Sequence, residues 1–119
     1  MADSNLKLET EERNGVRIIH VSGPLDSMNY DSFKAQMDGL FGKQARSRVV
    51  LDCQNLTYVN SRGLALLMHY QRVSKLDFSF LGIAALRPRI LKGMEMLGLG
   101  KFVTSFSTLE EALEMATAS

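Results

Sequence analysis

Val49-Val50-Leu51 is a run of three apolar residues without the alternation of a strand that has one wet face. A strand reads that way when both of its faces are buried, as in the middle of a parallel sheet covered by helices. No other stretch limits the fold so tightly. Upstream, Leu6, Leu8 and Thr10 alternate with Lys7, Glu9 and Glu11, the pattern of a strand with one face in water. Asn14-Gly15 follows, the strongest short hairpin signal. Val16, Ile18, Ile19 and Val21 make the return strand, which Gly23-Pro24 is expected to break because proline lacks a ladder amide.

Helical spacing takes over between the strands. Phe33, Met37, Leu40 and Phe41 fall at i, i+4, i+7 and i+8, and Gly42 suits the end of that helix. After the central run, a loop through Leu56 and Tyr58 leads to a second helix with Leu64, Leu67, Met68, Tyr70 and Val73 apolar. Phe78, Phe80 and Leu81 predict a strand ended by Gly82. Pro88 opens a third helix whose Ile90, Leu91, Met94 and Leu97 are expected to face inward. Lys101-Phe102-Val103 reads as a last short strand. Ser107-Thr108-Leu109-Glu110 has the spacing of a capping box, ahead of a final helix carrying Leu109, Ala112, Leu113 and Ala116. A hairpin followed by alternating helices and strands predicts an α/β domain. Its sheet is mixed and mostly parallel, with an antiparallel N-terminal edge strand and about four α-helices.

At 119 residues the chain fits one domain, 1–119, with a core of about 6–116. The single cysteine, Cys53, cannot form an intramolecular disulfide, and its place after Val-Val-Leu suggests a buried thiol. A net charge of +1 with interspersed signs gives no argument for nucleic acid or an anionic membrane. No apolar stretch is long enough to span a bilayer, and the polar start Met-Ala-Asp-Ser-Asn is unlike a signal peptide. A cytoplasmic location without membrane insertion is expected.

In a parallel sheet, function gathers in the loops that leave the carboxyl ends of the strands. Three are legible: Gly23 to Asp26, Asp52 to Ser61, and Gly82 to Leu86. The second ends in Thr57-Tyr58-Val59-Asn60-Ser61-Arg62-Gly63-Leu64. Ser61 falls at the expected N-cap of the second helix, and a plain cap is one reading of it. The other is a phosphoacceptor. Gly63, at the second helical position, costs roughly 1 kcal/mol against alanine, and Leu64 stands where a capping-box glutamate would go. A glycine there leaves room for another protein to approach the hydroxyl. A phosphate on Ser61 would meet free amides and the positive end of the helix dipole. Residue types alone leave both readings open.

Val49-Val50-Leu51-Asp52 and Leu56 through Leu64 resemble the signature of the STAS family of anti-sigma factor antagonists. Val21-Ser22-Gly23-Pro24-Leu25-Asp26, Leu97-Gly98-Leu99 and Phe106 through Ala112 resemble it too, so the likeness runs from about Leu6 to Ala116. The family motif is Asp-Ser-Ser-Gly or Asp-Ser-Thr-Gly, phosphorylated on its first hydroxyl residue. Here the stretch is Asn60-Ser61-Arg62-Gly63, with Asn60 for the aspartate and Arg62 for a small hydroxyl residue.

The resemblance implies a SpoIIAA-like domain that switches partners. Unphosphorylated, it would bind a serine kinase of the anti-sigma factor type. Phosphorylation on Ser61 would release that partner, and a PP2C-type phosphatase would reset the switch. Asp26, Asn60, Ser61, Arg62 and Gly63 are the candidate partner contacts. Leu25 and Met28 are either exposed apolar anchors or core. The alternative within the family is a non-switching interaction subunit of a lipid-transport or sensory scaffolding complex, with Ser61 a cap.

Neither enzymatic activity nor a cofactor nor a metal is expected. His69 lies two turns beyond Ser61, roughly 12 Å along the helix, too far to act as its base, and Gly-x-Ser-x-Gly is absent. Asp52 at a strand end resembles a receiver phosphoacceptor. The earlier strands, however, are expected to put Glu11-Glu12 and Ser22-Gly23 on opposite edges of the hairpin, away from it. Arg87, Arg89 and Lys92 form a small basic patch, read as a solvated helix face or else a contact for phosphate or a partner.

Overall fold

The computed structural model describes residues 5–40, 46–77 and 79–118. Asn14 and Gly15 both take positive φ, 54° and 80°, which matches the turn to the right-handed twist of its strands. The turn fixes β1 (Lys7–Arg13) antiparallel to β2 (Val16–Leu25) with Arg13 opposite Val16. β3 (Arg48–Val59), β4 (Phe80–Ala84) and β5 (Ser105–Phe106) add in parallel, giving the strand order β1-β2-β3-β4-β5. The antiparallel strand is at the edge, as the patterning predicts.

Helices α1 (Tyr30–Leu40), α2 (Ser61–Leu76) and α3 (Pro88–Met96) cover one face. Phe33, Met37, Leu67, Ile90 and Met94 pack there on Ile19, Val21, Val49, Leu51 and Cys53. α4 (Leu109–Ala118) covers the other face, with Ala112 and Ala116 on Val16, Val50 and Ala84. Val50 and Leu51 are thus sealed from opposite sides, which explains a run without alternation. Cys53 is buried in the larger core, and burial, helped by the charge of Asp52, pushes its thiol up to about 12.

Several local expectations are corrected. β2 passes through Gly23-Pro24 to Leu25. Among the described residues the β1 ladder ends at Ser22, so Pro24 costs it no ladder bond, and register shifts absorb the irregularity. β3 runs on to Val59 where a loop through Leu56 and Tyr58 was expected. β4 continues through Gly82, whose missing side chain leaves room for Phe80 and Phe106. Leu97 caps α3 and is 60% exposed instead of facing inward. Lys101-Phe102-Val103 is not a strand: Gly100–Phe102 is a 3-10 turn with Phe102 56% exposed, and β5 starts at Ser105. The capping box sits one residue later than predicted. Glu111 N–H donates to Thr108 Oγ1 at 3.1 Å, and Thr108 N–H donates to Glu111 Oε1 at 3.2 Å. Phe41, Gly42 and Phe78 lie outside the described residues.

Candidate functional site at the carboxyl end of the sheet

Leu25 ends β2 and Val59 ends β3, and the two are paired neighbours. The segments that follow therefore emerge side by side, which brings residues 25–28 and 60–63 together. Asp26 Oδ1 accepts from the backbone N–H of Met28 at 3.0 Å and of Asn29 at 3.3 Å. Asn29 reciprocates, its Oδ1 accepting from Asp26 N–H at 2.9 Å and its Nδ2 donating to Pro24 O at 2.6 Å. These bonds shape the turn into α1 and leave Met28 94% exposed at its tip.

The N-cap of α2 is Asn60, not Ser61. Asn60 is extended (φ −85°, ψ 178°), and its Oδ1 accepts from Gly63 N–H at 2.9 Å. Its own N–H donates to Leu25 O at 3.1 Å, and its Nδ2 donates to Ser27 Oγ at 3.3 Å, tying the two segments together. Ser61 is the first helical residue and is exposed. Because Asn60 makes the cap, the Ser61 hydroxyl is not consumed by it. The amides of Ser61 and Arg62 belong to the helix's first turn and have no intrahelical acceptor, and they stand at the positive end of a 16-residue helix.

Two of the expected partner contacts turn inward. Gly63 is buried and lies at the third helical position, so it is Gly63, not Leu64, that stands where a capping-box glutamate would go. A Cβ on it would meet Val59 Cγ1 at 2.8 Å and Leu25 Cγ at 2.9 Å. Its lack of a side chain lets α2 settle on the strand ends rather than clearing space for a partner. Leu25 is 1% exposed and is core. Asp26 and Asn60 are half-buried, while Met28, Ser61 and Arg62 are exposed.

The Arg62 guanidinium stacks 4.1 Å above the ring of Tyr30, joining the first turns of α1 and α2. Neither Tyr30 nor Ser27 was singled out from the sequence, and neither was Tyr58, 53% exposed near the end of β3. The only signal for Tyr30 was its place three residues before Phe33, in line with the apolar stripe of α1.

A second polar group lies on the α4 side of the sheet, away from Ser61. Glu11 and Asp52 do come together, contrary to expectation, because both reach His20. Asp52 is inside β3 and opposite His20, not in a loop. Its Oδ1 still accepts from Gln54 N–H at 3.2 Å. Arg87 Nε donates to Gln54 O at 3.2 Å, so the basic patch is partly anchored. Among the described residues, no group of three or more His, Cys, Asp or Glu side chains could hold a metal ion. No helix among them is long and apolar enough to cross a membrane.

The family model described as STAS domain matches residues 7–112. The chain belongs to the STAS domain family. The anti-sigma F factor antagonist of Paenibacillus polymyxa is 27% identical to this STAS domain over 109 residues, spanning 92% of it and 93% of the relative. The crystal structure of an anti-sigma factor antagonist from Mycobacterium paratuberculosis superimposes with a TM-score of 0.82 at 23% identity, covering 98% of this domain and 97% of that chain. The Bacillus cell fate determinant SpoIIAA in its phosphorylated form gives a TM-score of 0.65 at 19% identity over 93% of this domain and 98% of that chain.

Proposed function

We propose that this STAS domain is an anti-sigma factor antagonist of a cytoplasmic partner-switching pathway, with Ser61 as its phosphorylation switch. The observation that carries the reading is Ser61 itself, exposed at the first position of α2 while Asn60 supplies the cap. Its hydroxyl is open to a kinase, and a phosphate on it would lie beside the first-turn amides and the helix dipole. The Paenibacillus relative, alike over nearly its whole length, carries the name of this role.

Unphosphorylated, the domain binds a serine kinase of the anti-sigma factor type across Ser61, Arg62 and Met28, with Asp26 and Asn60 holding the surface in shape. Phosphorylation places about two negative charges in that interface and ejects the partner by repulsion and desolvation. A PP2C-type phosphatase restores binding. Arg62, the next residue, carries a cation. Pairing with the phosphate would take it off Tyr30, so modification would also loosen the contact between α1 and α2.

Mass spectrometry of the protein from its host, joined to titration calorimetry against the candidate kinase, tests the proposal. Phosphate on Ser61, tight binding of wild type and Ser61→Ala, and loss of binding in Ser61→Asp are expected. Met28→Lys should weaken binding with stability changed by less than about 0.5 kcal/mol, since Met28 touches little of its own chain. Phosphorylated protein should stay folded, its melting temperature lowered by no more than about 5 °C as Arg62 leaves Tyr30. Equal binding by Ser61→Ala, Ser61→Asp and wild type would instead favour a non-switching interaction subunit.

A further inference from the structure

His20 sits between two carboxylates with both ring nitrogens engaged. Nδ1 lies 2.7 Å from Asp52 Oδ2 and Nε2 lies 2.6 Å from Glu11 Oε2. Ionised carboxylates only accept, and a neutral imidazole has a single N–H. Two such contacts therefore require the doubly protonated ring. The three residues come from three adjacent strands, since His20 is opposite Asp52 on β3 and diagonal to Glu11 on β1.

Besides its ladder to β2 and the exposed Glu12–Arg17 pair, few side chains hold β1. Every side chain from Glu9 to Arg13 is exposed, and within the strand only Leu8 is half-buried against the core. Its ladder to β2 is the edge of the sheet, where backbone bonds open most readily.

We propose that Glu11, His20 and Asp52 form a proton-dependent clamp that fastens edge strand β1 to the centre of the sheet, with the second ring proton of His20 as its pin. With that proton lost, one carboxylate no longer has a donor on the ring. Asp52 keeps Gln54 N–H, and Glu11 keeps Arg13, at 3.0 Å on its other oxygen. Arg13 is on β1 itself, so that pair does nothing to hold the strand down. Release of the clamp thus frees β1 rather than β3.

Other charged residues lie on each element around His20. Glu9 on β1 is directly opposite it, and Lys7 is the diagonal neighbour beyond. On β2, Arg17 is 3.6 Å from Glu12. α4, which packs on β2, carries only carboxylates, Glu110, Glu111 and Glu114. Near β3, Arg87 is bound to the Gln54 carbonyl. Of all these charges, only those of Glu11 and Asp52 act on the ring.

Partial burial lowers the affinity of His20 for its second proton, but the bonds and charges of Glu11 and Asp52 outweigh it and raise the ring above its ordinary 6.5. The hydrogen bond from His20 lowers Glu11 below its ordinary 4.5, helped by Arg13. A raised histidine stabilises fully below 6.5 and loses that stabilisation as pH rises through its folded value. A lowered glutamate stabilises fully above 4.5 and loses it as pH falls through its folded value. The clamp is therefore firmest between those ordinary values and opens on the alkaline side.

NMR of the full chain decides the matter. The His20 ring is titrated alongside His69, and amide-exchange protection of β1 is followed over the same pH range. The expected result is a His20 midpoint above 6.5, with β1 protection falling through that midpoint while β3 protection holds. Glu11→Gln should lower the midpoint and remove the pH dependence of β1. Glu12→Gln, on the same strand but paired with Arg17, should change neither. A midpoint at or below 6.5, or β1 protection indifferent to the midpoint, overturns the clamp.

Discussion

Asn60 and Ser61 divide two tasks that a single serine would otherwise share. A serine N-cap spends its hydroxyl on a backbone amide, and phosphorylating it would cost the helix its cap. With Asn60 accepting from Gly63 N–H at 2.9 Å, Ser61 can be modified while the cap stays in place. In urea unfolding, Asn60→Ala should lose about 1 kcal/mol, whereas Ser61→Ala should change stability by less than about 0.5 kcal/mol. Gly63 belongs to the same arrangement for a steric reason. Gly63→Leu should destabilise by about 1–3 kcal/mol through overpacking, although leucine is the better helix former, because its Cβ would press on Val59 and Leu25 within 3 Å. A measured gain in stability would mean that those two side chains yield more easily than a packed junction should. The spacing of Ser61 ahead of an apolar helix was readable from the sequence, but the identity of the cap was not. Asn and Ser are both good N-caps, and one residue of phase at a helix start is settled by which side chain the neighbouring strand leaves free.

Among the elements, α2 joins the candidate site to the far side of the sheet. Its amino end carries the candidate site, and farther along the buried Gln71 bridges two strands. Gln71 Nε2 donates to Leu81 O of β4 at 2.8 Å, and its Oε1 accepts from Thr104 N–H just before β5. The pairing of β5 with β4 is short: Ser105 and Phe106, with Ile83 N–H also donating to Thr104 O at 2.8 Å. Gln71→Ala removes the side-chain partner of the buried Leu81 carbonyl, at a cost of about 1–3 kcal/mol, and that of the half-buried Thr104 amide. It should lower the melting temperature and speed hydrogen exchange first at β5 and the start of α4. Uniform loss of protection across all strands would show instead that β5 opens only with the whole sheet. Nothing in the sequence marked Gln71, because a lone polar residue on an apolar stripe has no periodicity of its own. The same holds for β5. Its two residues are too few for a strand pattern, and the apolar Lys101-Phe102-Val103 stretch beside them gave the stronger signal.

For the molecule as a whole, the larger core on the side of α1, α2 and α3 encloses Cys53, the only thiol. Burial raises that thiol to about 12 and hides it, so alkylation at neutral pH should proceed only through opening of the core. The labelling rate should follow urea concentration with the same dependence as global unfolding, and fast labelling without denaturant would point to a local route into the sheet. The sequence by itself determined the α/β class, the hairpin at Asn14-Gly15, the buried central strand and most of the inward apolar stripe of each helix. Those features follow from periodicity and turn chemistry, which act over a few neighbouring residues. It also placed Leu25 to Met28 and Asn60 to Gly63 at one end of the sheet, through the rule that strand ends gather loops. Only the tertiary structure decided which of those residues face outward, because Leu25 and Gly63 are buried by each other and by Val59 rather than by anything adjacent in the chain. It alone brought Glu11 to His20 and His20 to Asp52, since cross-strand neighbours are set by register, and register between distant strands leaves no mark on local sequence.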